Sequence, residues 1–528
     1  MKKILLSASL VVLGLQAYAQ GLNQQVEVSN DYRSSLLDVV KVSVPMQVPD
    51  SVTRFNLVYD YSVFDNPYKG AYEFTPYGIS VTPGKSQPDA GRFFLRAGAG
   101  YTLNPVLYAV WNAYRDSTMY VNVVQDGRGY IGGYTSGFDG YDITESLRVH
   151  GGQAGKRTRL GFDATYDGIF TGDANDLRYG LHDVGIGFRM SSMDEDPEFS
   201  GYSLAFDYDF ASDGANLKSY SIIENRVAAS GSAGIDFRRR HKISLDAAAE
   251  FQSYSAASAR TVSVGAGATP NYLFRSDRLY FRGGVKFTLT YTGSLRMALA
   301  PSVMFKYELV KDRLRFFLTA DGGTVLDDYA ALRRTNHWFN ALGFAEAPDM
   351  HDFVSNSVAV LKSGAGFEGR AGKNLQFRID GGYDIYDRTP LVSTVCEMAY
   401  AKFNLLHGDL SLKYDGRRFD MEALLSVRKD DGRNEVKDAY LPALFSADVS
   451  GVYNWGGRVF LGLSAACSTA RMDLPSFLDL GASFEYRTTG PLSFWLRGGN
   501  LLGQDIQYVP MHGRKGPSIT AGICLNLR

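Results

Sequence analysis

From residue 92 onward, apolar and polar residues alternate one by one through stretch after stretch of the chain. Leu279, Phe281, Val285, Phe287, Leu289 and Tyr291 fall on one face, and Arg278, Arg282, Lys286, Thr288 and Thr290 on the other. Leu160, Phe162, Ala164, Tyr166 and Phe170 oppose Arg159, Asp163, Thr165 and Asp167. Leu375, Phe377, Ile379, Tyr383 and Ile385 oppose Asn374, Gln376, Arg378, Asp380 and Asp384. Successive side chains of a strand point to opposite faces, so each segment predicts a strand with one apolar and one polar side. Similar segments begin near Arg92, Tyr202, Lys242, Arg296, Arg313 and Pro491.

Alternation alone also fits a soluble sandwich or propeller. The segments here are long, however, and their polar sides carry charges near mid-strand, as a watery lumen permits. Their connections also alternate between short and long, as in outer-membrane barrels. The short ones include Arg238 to His241, Ser276-Asp277, Val310 to Asp312 and Ala371 to Lys373. The long ones include Asp126 to Asp142, Ala211 to Glu224, Thr324 to Phe353 and Gly503 to Pro517. Two connections, Thr102 to Pro105 and Thr292 to Leu295, are short although they fall with the long set. The expected fold is all-β: a transmembrane antiparallel β-barrel of about 22 strands over 92–528, with both barrel ends in the periplasm. Lipid offers no partner to backbone N–H and C=O groups, so only a closed sheet can span it with strands. Leu326 to Leu342 is expected to form a short helix over the mouth.

The first residues read as an export signal over 1–19. Lys2 and Lys3 precede the apolar run Ile4 to Leu15, and Ala17-Tyr18-Ala19 supplies the small residues of a cleavage site between Ala19 and Gln20. Residues 20–91 read as an extended leader, broken by prolines and dense in aromatics, lying in the lumen or at the periplasmic mouth. Composition fits this compartment: 33 Tyr and 32 Phe suit interfacial girdles, and 56 Gly against 17 Pro suit curved strands. With 55 basic and 56 acidic residues there is no basic surplus to bind nucleic acid. Cys396, Cys467 and Cys524 have no metal-ligand or redox spacing.

The end of the chain resembles that of TonB-dependent outer-membrane receptors. Leu496 to Gly499 runs into Asn500-Leu501-Leu502, then a loop with Gly513-Arg514 and Gly516-Pro517, then a last alternating strand of Ile519, Ala521, Ile523, Leu525 and Leu527. The leader, with Val26-Glu27-Val28 and Tyr59-Asp60-Tyr61, is similar to that of smaller Bacteroidota barrels named as such receptors. The resemblance implies a 22-strand barrel and transport across the outer membrane. Two departures stand beside it. The leader is too short for the family's full plug domain, and the last residue is Arg528 in place of a terminal aromatic. Gln25-Val26-Glu27-Val28-Ser29 has the apolar-acidic flavour of a strand that pairs with TonB, and the residues leave that pairing open.

No catalytic residue, cofactor or metal is expected. His337 and His351 share a loop with Asp327, Asp328, Glu346, Asp349 and Asp352, but in no standard ligand spacing. No serine sits in a nucleophile elbow, so an enzyme is not expected. The residues expected to line the lumen are Asp163, Asp167, Arg282, Lys286, Arg378 and Asp380. Two functions follow as expectations: solute transport across the outer membrane, or a non-transporting scaffold for lipoproteins and envelope complexes. The expected partners are outer-membrane lipid and lipopolysaccharide, with a periplasmic or lipoprotein partner in the second case and no nucleic acid in either.

Overall fold

A computed structural model describes residues 92–527 except 102, 134–138, 173–177, 194–200, 216–220, 239, 257–258, 340–349, 394–397, 432–438, 473, 510–511 and 514–515. The signal segment with Ala19 and Gln20, the leader with its Gln25–Ser29 stretch, and Cys396 lie outside the described residues. Strands run from β1 (Phe93–Tyr101) to β24 (Ser518–Leu527). Twenty-two of them form one antiparallel sheet; β22 (Gln507–Val509) and β23 (His512–Gly513) make a separate hairpin in the last connection. The sheet closes because β24 pairs with β21 (Leu492–Gly499) on one side and with β1 on the other, in register from Phe93↔Leu527 to Tyr101↔Ile519. Among the described residues, this closed sheet leaves no strand edge of its own to face lipid unpaired. At an interstrand spacing of about 4.8 Å and a tilt of about 40°, such a cylinder is roughly 40 Å across.

The two ends of the cylinder differ. At one end, β12 (Ser294–Val310) turns into β13 (Leu314–Leu326) with Asp312 at φ 57°, and the Arg313 N–H donates to the Val310 carbonyl at 3.0 Å. β14 (Asn356–Ala371) turns into β15 (Leu375–Val392) through Gly372 at φ 72°. A left-handed backbone at such a reversal matches the twist of the flanking strands, and glycine adopts it without a Cβ penalty. The first and last strands also terminate at this end, as expected for a periplasmic side. The opposite end carries the remaining connections, of which 327–355 is the longest between consecutive strands. β1–β2 and β11–β12 join there too, where β2 is Val106–Arg115 and β11 is Leu279–Thr292. Gly293 at φ 74° makes the second of these reversals in a single residue.

The strands climb farther toward the loop end than alternation indicates, which corrects the expected long connections. β3 (Met119–Gly133) and β4 (Asp139–Ala154) occupy most of Asp126–Asp142. β7 (Tyr202–Ala215) and β8 (Ser221–Arg238) occupy most of Ala211–Glu224. Beyond the lipid belt neither face needs to be apolar, so the period-two signal fades while backbone pairing continues.

Within the belt the alternation is kept. On β6 (Arg178–Ser192), Val184, Ile186 and Phe188 are 42%, 59% and 47% exposed, whereas Asp183 between them and the loop is buried. The exposed set needs lipid to cover it. Near the short turns, Tyr114, Tyr120, Phe237, Phe419, Tyr453 and Trp455 are exposed, as in an aromatic girdle. Among the described residues, no helix is long and apolar enough to cross a membrane.

Candidate functional site

The polar face of the strands carries a band of ion pairs, cross-strand except for Arg378–Asp380 within β15. The guanidinium of Arg189 donates to Asp163 on β5 (Thr158–Gly172) at 2.9 Å and lies 3.7 Å from Asp207. Arg226 bridges Asp209 at 2.8 Å and Glu250 at 2.6 Å. Arg282 pairs with Asp246, Lys286 with Asp321, and Arg378 with Asp380 at 2.9 Å. Two glycines make room for the first group. A Cβ at Gly185 would lie 2.6 Å from Asp209 Oδ1, and one at Gly187 would lie 2.5 Å from Asp163 Oδ2. Each pair is part-exposed and is worth about 0.2–1 kcal/mol, so the band keeps the interior polar more than it holds the barrel together.

A loop marks which face is inner. Residues 327–339 leave β13 and turn into the cylinder, carrying the helix α1 (Tyr329–Thr335). This helix is the one expected over Leu326 to Leu342, shortened to two turns. Asp328 caps it, accepting the Ala331 N–H at 2.5 Å. Glu224 of β8 caps it from the wall, accepting the N–H groups of Tyr329 at 3.3 Å and Ala330 at 3.2 Å. Arg333 and Arg334 occupy the last turn, where the helix dipole favours cations. Arg333 Nε lies 3.2 Å from Asp213, with both side chains essentially without solvent exposure, and Nη2 donates to Thr171 Oγ1 at 3.0 Å. Tyr329 donates its hydroxyl proton to the same Asp213. Arg334 donates to Asp183 at 2.5 Å. His337 sits 3.1 Å from Asp142 on β4, nine strands round a 22-strand wall from β13 and so close to the far side.

Register then places the sequence-derived residues. Asp167 stands opposite Asp183, and Asp163 opposite Gly187, so both share the face that the loop touches. Arg282 and Lys286 share a face with Thr288, whose hydroxyl accepts the Thr324 N–H beside the loop. Arg378 packs 4.5 Å over the Phe317 ring beside Asp380. The two loop histidines do not converge. His337 is held by Asp142, while His351 of the short helix α2 (Met350–Phe353) lies edge-on to Tyr291 at 6.4 Å.

Between the loop and the wall lies an apolar core. Tyr329, Phe339 and Phe353 form a ring cluster, with Phe339 stacked on Phe353 at 4.5 Å. Leu332 and Val354 join them against Ile169, Leu181, Ile222 and Tyr254 of the wall. The wall partners Asp142, Asp213 and Glu224 fall inside stretches that read as connections in sequence. The signal that could have found them is the pairing of excess acids there with Arg333-Arg334 at the end of a capped helix.

The attachment through the loop's own Asp327 is sensitive to pH. Asp327 accepts the Ser357 hydroxyl at 2.8 and 2.9 Å, and its backbone carbonyl accepts from Tyr254 at 3.2 Å. Burial pushes its carboxyl up to about 7, with the negative Asp328 adding to the rise. The docked loop therefore holds this proton more tightly than a free loop would. Its contribution to docking is complete below the ordinary carboxylate pKa and is lost as pH rises through about 7. Protease cleavage of the loop should therefore be faster at about pH 8 than at about pH 5 after correction for protease activity. Asp327→Asn should reduce that difference; an unchanged pH profile in the variant would count against this assignment.

Solved chains share this architecture. The copper transporter OprC superposes with a TM-score of 0.61 over 83% of this chain and 80% of its own, at 12% identity. The siderophore receptor PirA from Acinetobacter baumannii gives 0.59 over 82% and 80%, at 9% identity. The F5-1 variant of the FrpB iron transporter from Neisseria meningitidis gives 0.60 over 82% of each chain, at 10% identity. At these identities the likeness is one of fold. No family model and no curated protein matches the chain.

Proposed function

We propose that this chain is an outer-membrane barrel of the TonB-dependent-receptor type that takes part in moving solute across the membrane. In this reading the docked loop segments 327–339 and 350–355 constrict its outer mouth. One observation carries the reading: a charged inner face runs along the wall while a loop is docked across one end of it. A cylinder roughly 40 Å across is too wide for wall side chains to fill, so its interior is either hydrated or occupied by other chain. A solute path fits that geometry, and the similar folds of a copper transporter and an iron transporter support it. The residues that would tune selectivity are Asp163, Asp167, Arg282, Lys286, Arg378 and Asp380, because a charged ring discriminates among passing ions. The leader, 20–91, would act as a partial filler of the lumen.

The test is ion conductance in planar bilayers for three forms of the mature protein. These are the full chain, the chain lacking 20–91, and the chain with 329–354 replaced by a short Gly-Ser linker. Conductance should rise on removal of the loop, and also on removal of 20–91. Three equally silent barrels, intact by their heat-modifiable migration on gels, would overturn the transport reading and favour a scaffold for envelope partners.

A further inference from the structure

One cluster on the wall shares Asp380 with the band of ion pairs but extends beyond it. It lies on β15 and β16 (Met398–Asp415). Asp380 and Asp409 stand directly opposite each other in the register, and His407 is two residues along from Asp409, facing the same side across from Gly382. Like charges directly opposite on a sheet repel, and a shared cation relieves that repulsion. His407 is buried, and its Nε2 lies 3.0 Å from the Ser363 carbonyl. A carbonyl accepts only, so this contact places a proton on Nε2, which also faces Asp384 Oδ1 at 3.6 Å; in the neutral ring the Nδ1 lone pair is then free. Nδ1 is buried with no hydrogen-bond partner and lies 3.9 Å from Asp409 Oδ2. One ligand atom from each of Asp380, His407 and Asp409 falls within 4.8 Å of the others.

We infer that Asp380, His407 Nδ1 and Asp409 form a binding site for a first-row divalent transition metal such as Zn²⁺. The backbone carbonyl that fixes the tautomer is the kind of outer partner that metal-bound histidines have. Imidazole and carboxylate together suit zinc, cobalt or nickel better than magnesium or calcium, which prefer an all-oxygen shell. Bonds of about 2.0–2.2 Å place tetrahedral ligands roughly 3.4 Å apart, so ligand atoms now within 4.8 Å of one another must close by up to about 1.4 Å through side-chain rotation. Gly382 permits the arrangement. A Cβ there would run into the Ser363 carbonyl and come within 2.8 Å of His407 Nε2.

Two arginines already touch the carboxylates, and neither blocks the site. Arg378 uses one oxygen of Asp380, at 2.9 Å, which leaves the other free to turn. Arg428 spans both oxygens of Asp409, at 2.8 and 3.0 Å. It also donates to the Gly408 and Val427 carbonyls, at 3.2 and 3.0 Å, so it can give up one carboxylate oxygen without being stranded. The proposal stands whether or not any solute crosses the barrel.

The test is calorimetric titration of Zn²⁺ into the full mature protein in detergent, with Co²⁺ absorption as the readout of ligand geometry. The expected result is one saturable site and a four- or five-coordinate Co²⁺ spectrum. His407→Gln, Asp380→Asn and Asp409→Asn should each weaken binding about tenfold or more. His337→Ala with His351→Ala should leave it unchanged. Heat-modifiable migration reports folding, and if His407→Gln does not fold, the two Asp→Asn variants decide. Absence of a saturable site in the wild type, or equal affinity in the folded variants, overturns the assignment.

Discussion

Arg333→Met should release the inward loop from the wall. The guanidinium of Arg333 and the carboxylate of Asp213 are both fully buried and 3.2 Å apart. Removing one partner leaves the other as an uncompensated charge, which costs about 3–5 kcal/mol in comparable buried pairs. That is roughly a factor of 10² or more in the docking equilibrium. Asp213→Asn should release the loop too, since it strands the arginine with only Thr171. The double variant should recover much of the loss, because an amide beside a thioether carries no net charge and the amide oxygen can still accept from Tyr329. Chymotryptic cleavage at Trp338 and Phe339 measures docking, and conductance measures its effect on the mouth. Two single variants that behave as wild type in both assays would show that the pair does not hold the loop.

The barrel was legible in the sequence because lipid enforces a period of two. Leu279 to Tyr291 must show one apolar face wherever the wall touches hydrocarbon, and that face reads without a structure. Closure and strand number followed from the alternation of short and long connections. The latch was not legible, for a physical reason. Asp142, Asp213 and Glu224 lie where the strands rise above the belt, and nothing there demands alternation, so paired strand and connection look alike. The helix was readable from its own cap, Asp328, and from Arg333-Arg334 at its end; its partners were not. The cluster at His407 was hidden differently. Asp380 read correctly as a polar-face residue, but only the register sets Asp409 opposite it, and only the break in pairing near Ser363 brings a carbonyl to the imidazole. Register is a property of two strands together, and alternation within one strand does not specify its offset from the next.

Phe339→Ala should loosen the loop as much as losing the ion pair, and the reason separates the two faces of this wall. Phe339 has no solvent exposure, and its ring stacks on Phe353 at 4.5 Å and lies 5.4 Å from Tyr329. The alternative to docking is exposure of this cluster to water at the mouth, so the hydrophobic effect acts on it in full. Truncating a buried ring of this kind costs about 3–5 kcal/mol, including the cavity left among Leu332, Phe353 and Val354. Phe188 offers the control. It is 47% exposed on the outer face, where hydrocarbon covers it before and after any loop movement. Phe188→Ala should therefore leave docking unchanged even though the same ring is deleted. Hydrogen exchange of α1 reports the difference directly: faster in the first variant, wild-type in the second, with the strand amides of β13 and β14 protected in both. If α1 exchanged at the wild-type rate in Phe339→Ala, the aromatic cluster would be filling space in the mouth without holding the loop there.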